Sequence, residues 1–221
     1  MFGPIYPILD RQTFERAHQD PHQLIRTWLA LGLTAFQIRD KRATEVSYLE
    51  FALEVKKSFP EAHIIANDFA GLALDNRSVF SALHLGQEDW VGLDAYLREK
   101  VLRACHTGFA LGLSTHSLSQ FLSAADLKLA YTAVGPVQAT SSKPTGTDPV
   151  ISAGELEQIL RAGASAKRQI VVIGGLNAGN LEKVLSPDRR SWFSERRPVP
   201  AVIQAALSRA ELEAMLRILN V

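Results

Sequence analysis

Short apolar runs alternate along this chain with longer stretches in which apolar residues recur at helical spacing. Residues 5–9 read as a first strand ending at Asp10, although Pro4 and Pro7 each remove a ladder donor. Leu24, Ile25, Trp28 and Leu29 follow helical spacing from Pro21, and Gly32 stops that helix. Residues 35–38 predict strand two. Val46, Leu49, Ala52, Leu53 and Val55 predict a helix over 43–59, ending before Pro60. Strand three is expected at 64–66, a short helix at 69–74, strand four at 82–85 and a helix at about 93–104. The alternation continues with strand five at 110–113, a helix at 118–125, strand six at 129–134 and a helix at 152–161. Strand seven falls at 170–173, followed by helices at 177–185 and about 201–219. Between those last two helices only residues 191–193 offer an eighth strand.

Parallel strands need crossover connections, so this alternation argues for a parallel α/β sheet. Seven clear units and one thin one fit a closed (β/α)8 TIM barrel with an atypical eighth strand better than an open sheet. No G-x-G-x-x-G follows the first strand, which counts against a dinucleotide-binding sheet. No linker or low-complexity tract interrupts residues 1–221, so a single domain is expected.

Composition narrows the function classes. Hydrophobic residues make up 47% of 221, enough for a full core. A net charge of +1 gives no basis for bulk nucleic-acid or membrane-surface binding, so any anion recognition must be local. The single Cys105 excludes an internal disulfide and a multi-cysteine metal site, and suits a small buried role. Without a leader-like N-terminus or a long uncharged apolar run, a soluble cytoplasmic protein is expected. Self-association into a homo-oligomer is left open.

The polar residues cluster at the carboxyl ends of the predicted strands. Gln37, Arg39 and Lys41 alternate after strand two and so share one face, placing an amide and two cations where a polyanion such as a diphosphate could be held. Asn67-Asp68 follows strand three and His84-Leu85-Gly86-Gln87-Glu88-Asp89 follows strand four. Ser114-Thr115-His116, Thr140-Ser141-Ser142-Lys143 and Gly174-Gly175 follow strands five, six and seven. In a barrel these ends meet on one face, where active sites of the fold lie. Each cluster also has a plain structural reading. Asp68 and Asp89 could cap the helices that follow them. The 140–146 loop could be ordinary surface, Gly-Gly a tight turn, and His84 a hydrogen-bonded structural residue. Arg189, Arg190, Arg196 and Arg197 read as a solvated loop.

Taken in order, Gln-x-Arg-x-Lys, Asn-Asp, His-Leu-Gly-Gln-Glu-Asp, Gly-x-Ser-x-His, Gly-Pro-x-x-x-Thr-x-x-Lys and Ile-Gly-Gly, between Gln37 and Gly175, resemble thiamine phosphate synthase. The resemblance implies a TIM barrel joining hydroxymethylpyrimidine diphosphate to thiazole phosphate, with Mg²⁺ as cofactor and small molecules as its partners. It implies a diphosphate grip of Gln37, Arg39, Lys41, Asn67 and Lys143, and Mg²⁺ ligands Asp68 and Asp89. Ser114 falls near the pyrimidine and leaving group, and Thr140, Ser142 and Gly175 on the thiazole phosphate. Arg39, Lys41, Ser114 and Lys143 are the residues implied in catalysis. Ser142 replaces a usual threonine, and Ser194 is placed at the family's phosphate-binding serine after strand eight, where the usual glycines and apolar strand are missing. Two alternatives stand beside this reading. One is the similar thiazole tautomerase, with proton transfer by a histidine at the position of His116. The other is a non-catalytic barrel that senses a phosphorylated thiamine precursor.

Overall fold

Seven of the eight strands form within two residues of the apolar runs that predict them. The computed structural model describes residues 3–139, 149–186, 188, 192–193 and 196–220. Its strands are β1 (Tyr6–Asp10), β2 (Ala35–Arg39), β3 (His63–Asn67), β4 (Phe80–Leu85), β5 (Ala110–Thr115), β6 (Tyr131–Val134), β7 (Ile170–Ile173) and β8 (Val199–Val202). They run parallel in sequence order and close on themselves as one barrel.

The connecting helices start where short polar side chains can accept the first free backbone N–H groups. Asp20 caps α2 (Pro21–Ala30), with proline at the first turn, and Thr44 with Ser47 forms a capping box on α3 (Glu45–Ser58). Asp94 caps α6 (Ala95–His106), Ser117 caps α7 (Leu118–Ser123), Ser152 caps α8 (Ala153–Ser165) and Asn177 caps α9 (Ala178–Val184). α4 (Ala70–Asp75) has no side-chain cap. Two further helices, α1 (Arg11–Arg16) and α5 (Gln87–Gly92), were not anticipated, because six residues are too few to show an apolar period.

The eighth strand is a correction. It lies at Val199–Val202, not at residues 191–193, and the final helix, α10 (Arg209–Leu219), begins later than the expected 201. Pro198 and Pro200 make the true strand look broken, while Ala201, Val202, Ala205 and Ala206 mimic the start of a helix. A 3₁₀ turn (Ala205–Leu207) separates strand from helix instead. β8 pairs with β7 at Val171↔Val199, Val172↔Pro200 and Ile173↔Ala201, and with β1 at Tyr6↔Ala201 and Pro7↔Val202. Both strands at this seam carry a proline, so each lacks one ladder donor. Trp28 of α2, fully buried, donates its indole N–H to the Ala206 carbonyl (2.9 Å) and ties the seam from outside. Phe193, expected in the strand, is instead buried in the core between sheet and helices.

Alternate residues of each strand face inward, and the barrel interior has its own small core. Much of it is alanine: Ala35, Ala82, Ala110, Ala133 and Ala201. Tyr6 and Tyr131 fill the space these leave, with ring centroids 5.8 Å apart, edge to face. Tyr131 fits because β5 has Gly112 beside it. A Cβ there would lie 2.0 Å from the phenol ring.

Candidate active site

The inward-facing positions of β1 to β5 end in polar side chains, and those of β2 to β5 line one cleft of about 830 Å³ at the carboxyl end of the barrel. Gln37, Arg39, Lys41, Asn67, Asp68, Asp89, Ser114 and Gly175 are all brought to it. Thr140, Ser142, Lys143 and Ser194 lie outside the described residues.

On β2 the alternation places Gln37 and Arg39 as the spacing predicts. Gln37 is buried and donates from Nε2 to the Tyr6 hydroxyl (3.2 Å). The Arg39 guanidinium is paired through Nη1 with Asp10, which ends β1. Asp10 is itself fixed, accepting from the Thr13 backbone N–H (2.9 Å) and hydroxyl (2.6 Å) as the cap of α1. Arginine has five donors, so a bond to Asp10 aligns the guanidinium and leaves other N–H groups for an anion. Lys41 pairs with Asp68. Tyr48 of α3 joins the ends of β2 and β3, donating to the Ile38 carbonyl (2.7 Å) and accepting from the Asn67 N–H (2.9 Å). Burial and the nearby Asp68 charge push its phenol far up, so it stays a hydroxyl.

Neither aspartate is a helix cap. α4 starts at Ala70 without a side-chain cap, and Asp68 instead accepts from Lys41 and the Asn67 amide. Asp68 has a left-handed backbone, φ 70°, which aspartate tolerates better than most residues. Asp89 lies inside α5, and Asp94 caps the helix after it. The Asp89 carboxyl lies close to that of Asp68. Burial chiefly, and then the Asp68 charge, push it above the usual carboxylate range, with Lys41 pulling the other way. In the same turn Gln87 Oε1 is buried with no hydrogen-bond partner among the described residues. Two neighbouring carboxylates could supply one or two ligands to a hard, oxygen-preferring cation; among the described residues no group of three or more His, Cys, Asp or Glu side chains gathers as a metal site.

His84 is buried with both ring nitrogens engaged, Nδ1 with the Tyr131 hydroxyl (2.9 Å) and Nε2 with Ser114 Oγ (2.9 Å). Burial, reinforced by the charges of Lys41 and Arg39, brings its pKa down to about 4, so it is neutral near pH 7. His116 donates through Nδ1 to the Gly135 carbonyl (2.6 Å), and its backbone N–H donates to Gln120 Oε1 (2.7 Å).

The β7 end is made of backbone. Gly174 (φ 109°) and Gly175 (φ 62°) turn the chain in a region other residues avoid, and a Cβ on Gly175 would lie 2.6 Å from the Ala139 carbonyl. Asn180 of α9 holds the Gly175 carbonyl (2.8 Å). After β8 the cleft is lined by Ile203 and Gln204.

Sequence reasoning missed Asp10, Tyr6, Tyr131 and Gln204. For Asp10 a signal existed, since Tyr6, Ile8 and Asp10 alternate on one face as Gln37 and Arg39 do. Gln204 was lost with the misplaced strand.

The thiamine monophosphate synthase family model matches residues 5–190. A thiamine-phosphate synthase from Lysinibacillus sphaericus is 32% identical over 178 residues, covering 76% of either chain. One from Listeria monocytogenes is 36% identical over 162 residues, covering 70% of this chain and 71% of its own. Among solved structures, a thiamine phosphate pyrophosphorylase from Pyrococcus furiosus superposes with a TM-score of 0.72 at 23% identity, covering 98% of this chain and 96% of its own, which establishes the shared barrel fold.

Proposed function

The chain belongs to the thiamine monophosphate synthase family of transferases, and we propose that it joins hydroxymethylpyrimidine diphosphate to thiazole phosphate, giving thiamine phosphate and pyrophosphate. One observation carries the reading. Gln37, Arg39 and Lys41 line the same cleft as the neighbouring Asp68 and Asp89 carboxyls, so candidate donors for a diphosphate lie beside a carboxylate pair suited to its counter-cation.

The residues fit Mg²⁺, which takes one or two protein carboxylates and completes its shell with water and phosphate oxygens. Asp68 and Asp89 would hold it, and once bound it would neutralise charge on the diphosphate. Arg39, aligned by Asp10, directs its remaining N–H groups at phosphate oxygens, and Lys41 supplies a second cation. As the bond from the pyrimidine methylene carbon to the diphosphate breaks, negative charge grows on the leaving group next to both. Donors already in place stabilise that charge without reorganisation and without a nucleophilic side chain. The thiazole nitrogen then captures the pyrimidine carbon. Ser114, at the inner wall, faces the space between the two substrates. The Gly174–Gly175 turn gives the thiazole phosphate close access to backbone, as barrels often do after strands seven and eight. Thr140, Ser142 and Lys143 complete this proposal through the resemblance alone. Proton transfer at His116 alone would leave the Asp68–Asp89 pair and the Arg39–Asp10 pair without a role.

The test is steady-state formation of thiamine phosphate from the two precursors, with and without Mg²⁺. Metal-dependent product supports the proposal. Tight binding of the pyrimidine diphosphate without product makes the chain a sensor, and isomerisation of thiazole phosphate without metal makes it a tautomerase.

A further inference from the structure

A continuous line of hydrogen bonds crosses the barrel interior beneath the cleft. Gln37 Nε2 meets the Tyr6 hydroxyl (3.2 Å), Tyr6 meets Tyr131 (3.1 Å), Tyr131 meets His84 Nδ1 (2.9 Å), and His84 Nε2 meets Ser114 Oγ (2.9 Å). It links strands β2, β1, β6, β4 and β5 in turn. The rings are packed as well as bonded, Tyr6 edge-on to Tyr131 and His84 stacked on Tyr131 at 5.6 Å and 15°. Four polar side chains in a barrel core lined with alanine are costly unless all are satisfied together. Gly112 keeps open the space that the Tyr131 ring needs to reach both partners.

We propose that Tyr6, Tyr131 and His84 are positioning residues that fix the proton on Ser114, so that its hydroxyl donates into the cleft toward the pyrimidine substrate. The proposed order of donors starts from the Gln37 amide. The Gln37 amide N–H donates to Tyr6, Tyr6 to Tyr131, and Tyr131 to His84 Nδ1. His84 is then protonated on Nε2 and donates to Ser114, whose own proton is turned outward. In this sense each hydroxyl within the line accepts one bond and donates one, and successive bonds polarise each other. Gln37, placed on the diphosphate, is thereby coupled to Ser114, placed on the pyrimidine. The inference rests on the proposed synthase reading for the identity of the substrate, but not for the tautomer.

The first experiment is a double-mutant cycle on the full chain, with Tyr131→Phe, Ser114→Ala and the pair, measuring kcat and the KM for each substrate. Tyr131→Phe keeps the ring and removes only the hydroxyl. Loss of one neutral hydrogen bond should lower kcat about tenfold, with the KM for thiazole phosphate unmoved. In the Ser114→Ala background the same substitution should do almost nothing. His84→Gln, whose amide nitrogen reaches the Nε2 position, should retain more activity than His84→Asn, which reaches only Nδ1. Additive effects, or equal loss in Gln and Asn variants of equal thermal stability, would overturn the relay. The second experiment does not need turnover: ¹⁵N shifts of the His84 ring should report the Nε2–H tautomer in the wild type and its loss in Tyr131→Phe. An Nδ1–H tautomer in the wild type overturns the donor order even if the chain makes thiamine phosphate. An Nε2–H tautomer without turnover leaves the relay standing and removes the synthase reading.

Discussion

The mouth of the barrel is built in two ways. On β1 to β5 the last inward positions are Asp10, Arg39, Asn67, His84 and Ser114, each tied to a side chain on a neighbouring strand, helix or turn. On β6 to β8 the equivalent positions are Gly135, Gly175 and Ile203, and the wall is largely backbone. In the proposed function the first half would hold a ligand with side chains already ordered by buried partners, so little rotamer freedom is left to lose on binding. The second half works by letting the main chain come close. A half made of side chains should fail by deletion, and a half made of backbone should fail only by addition.

The largest expected effect therefore lies in the first half. Arg39→Ala removes a cation from the proposed diphosphate site and leaves the buried Asp10 with its Thr13 bonds but without its cationic partner. Removal of one fixed donor from a leaving-group site costs roughly 10³-fold, and steady-state kinetics should place it in kcat at least as much as in KM. A change confined to KM would mean that Arg39 binds the substrate without stabilising its departure. Next comes the second half. Gly175→Ala should raise the KM for thiazole phosphate by about tenfold to a hundredfold, since a Cβ there displaces backbone donors to a charged group. The KM for the pyrimidine diphosphate should stay put, and movement of both together would dissolve the division between the halves. Smaller again is Asp89→Asn. It keeps the shape but removes one charge from the carboxylate pair, and should raise the Mg²⁺ needed for half-maximal rate by roughly tenfold. Unchanged metal dependence would take Asp89 out of the cation site.

The same division explains what could be read from the chain. Side chains at alternate positions announce themselves, so Gln37, Arg39 and Lys41 were legible as one face from their spacing alone, and Asn67 and Ser114 joined them once the strands were read as a barrel. Asp10 followed the same rule, but was passed over because its role is to hold Arg39 rather than to meet a ligand. Tyr6 and Tyr131 read as ordinary strand aromatics; their hydroxyls matter only because strands distant in sequence bring them within 3.1 Å. A backbone cradle carries almost no side-chain signal beyond Gly174-Gly175. The eighth strand was illegible for a related reason. Val199-Pro200-Ala201-Val202 has neither period nor an unbroken set of ladder donors, and it is specified by its neighbours β7 and β1 rather than by its own sequence.

The smallest predicted effect tests whether the order in the first half is built in on folding. His84 has an ordinary pKa of 6.5 when unfolded and about 4 when buried. Above the unfolded value both states are neutral, and its contribution to stability is fully present. As pH falls below that value the unfolded chain takes up a proton that the folded chain refuses, so stability is lost down to the folded value. From about pH 7.5 to about pH 6 that linkage amounts to about 1 kcal/mol. Denaturant unfolding of the metal-free protein with chelator present, compared between wild type and His84→Gln, isolates the effect, because the variant lacks the titrating ring. If the two lose stability in parallel, His84 is charged or solvated in the folded barrel, and the half of the site that looks pre-ordered is assembled only when the ligand arrives.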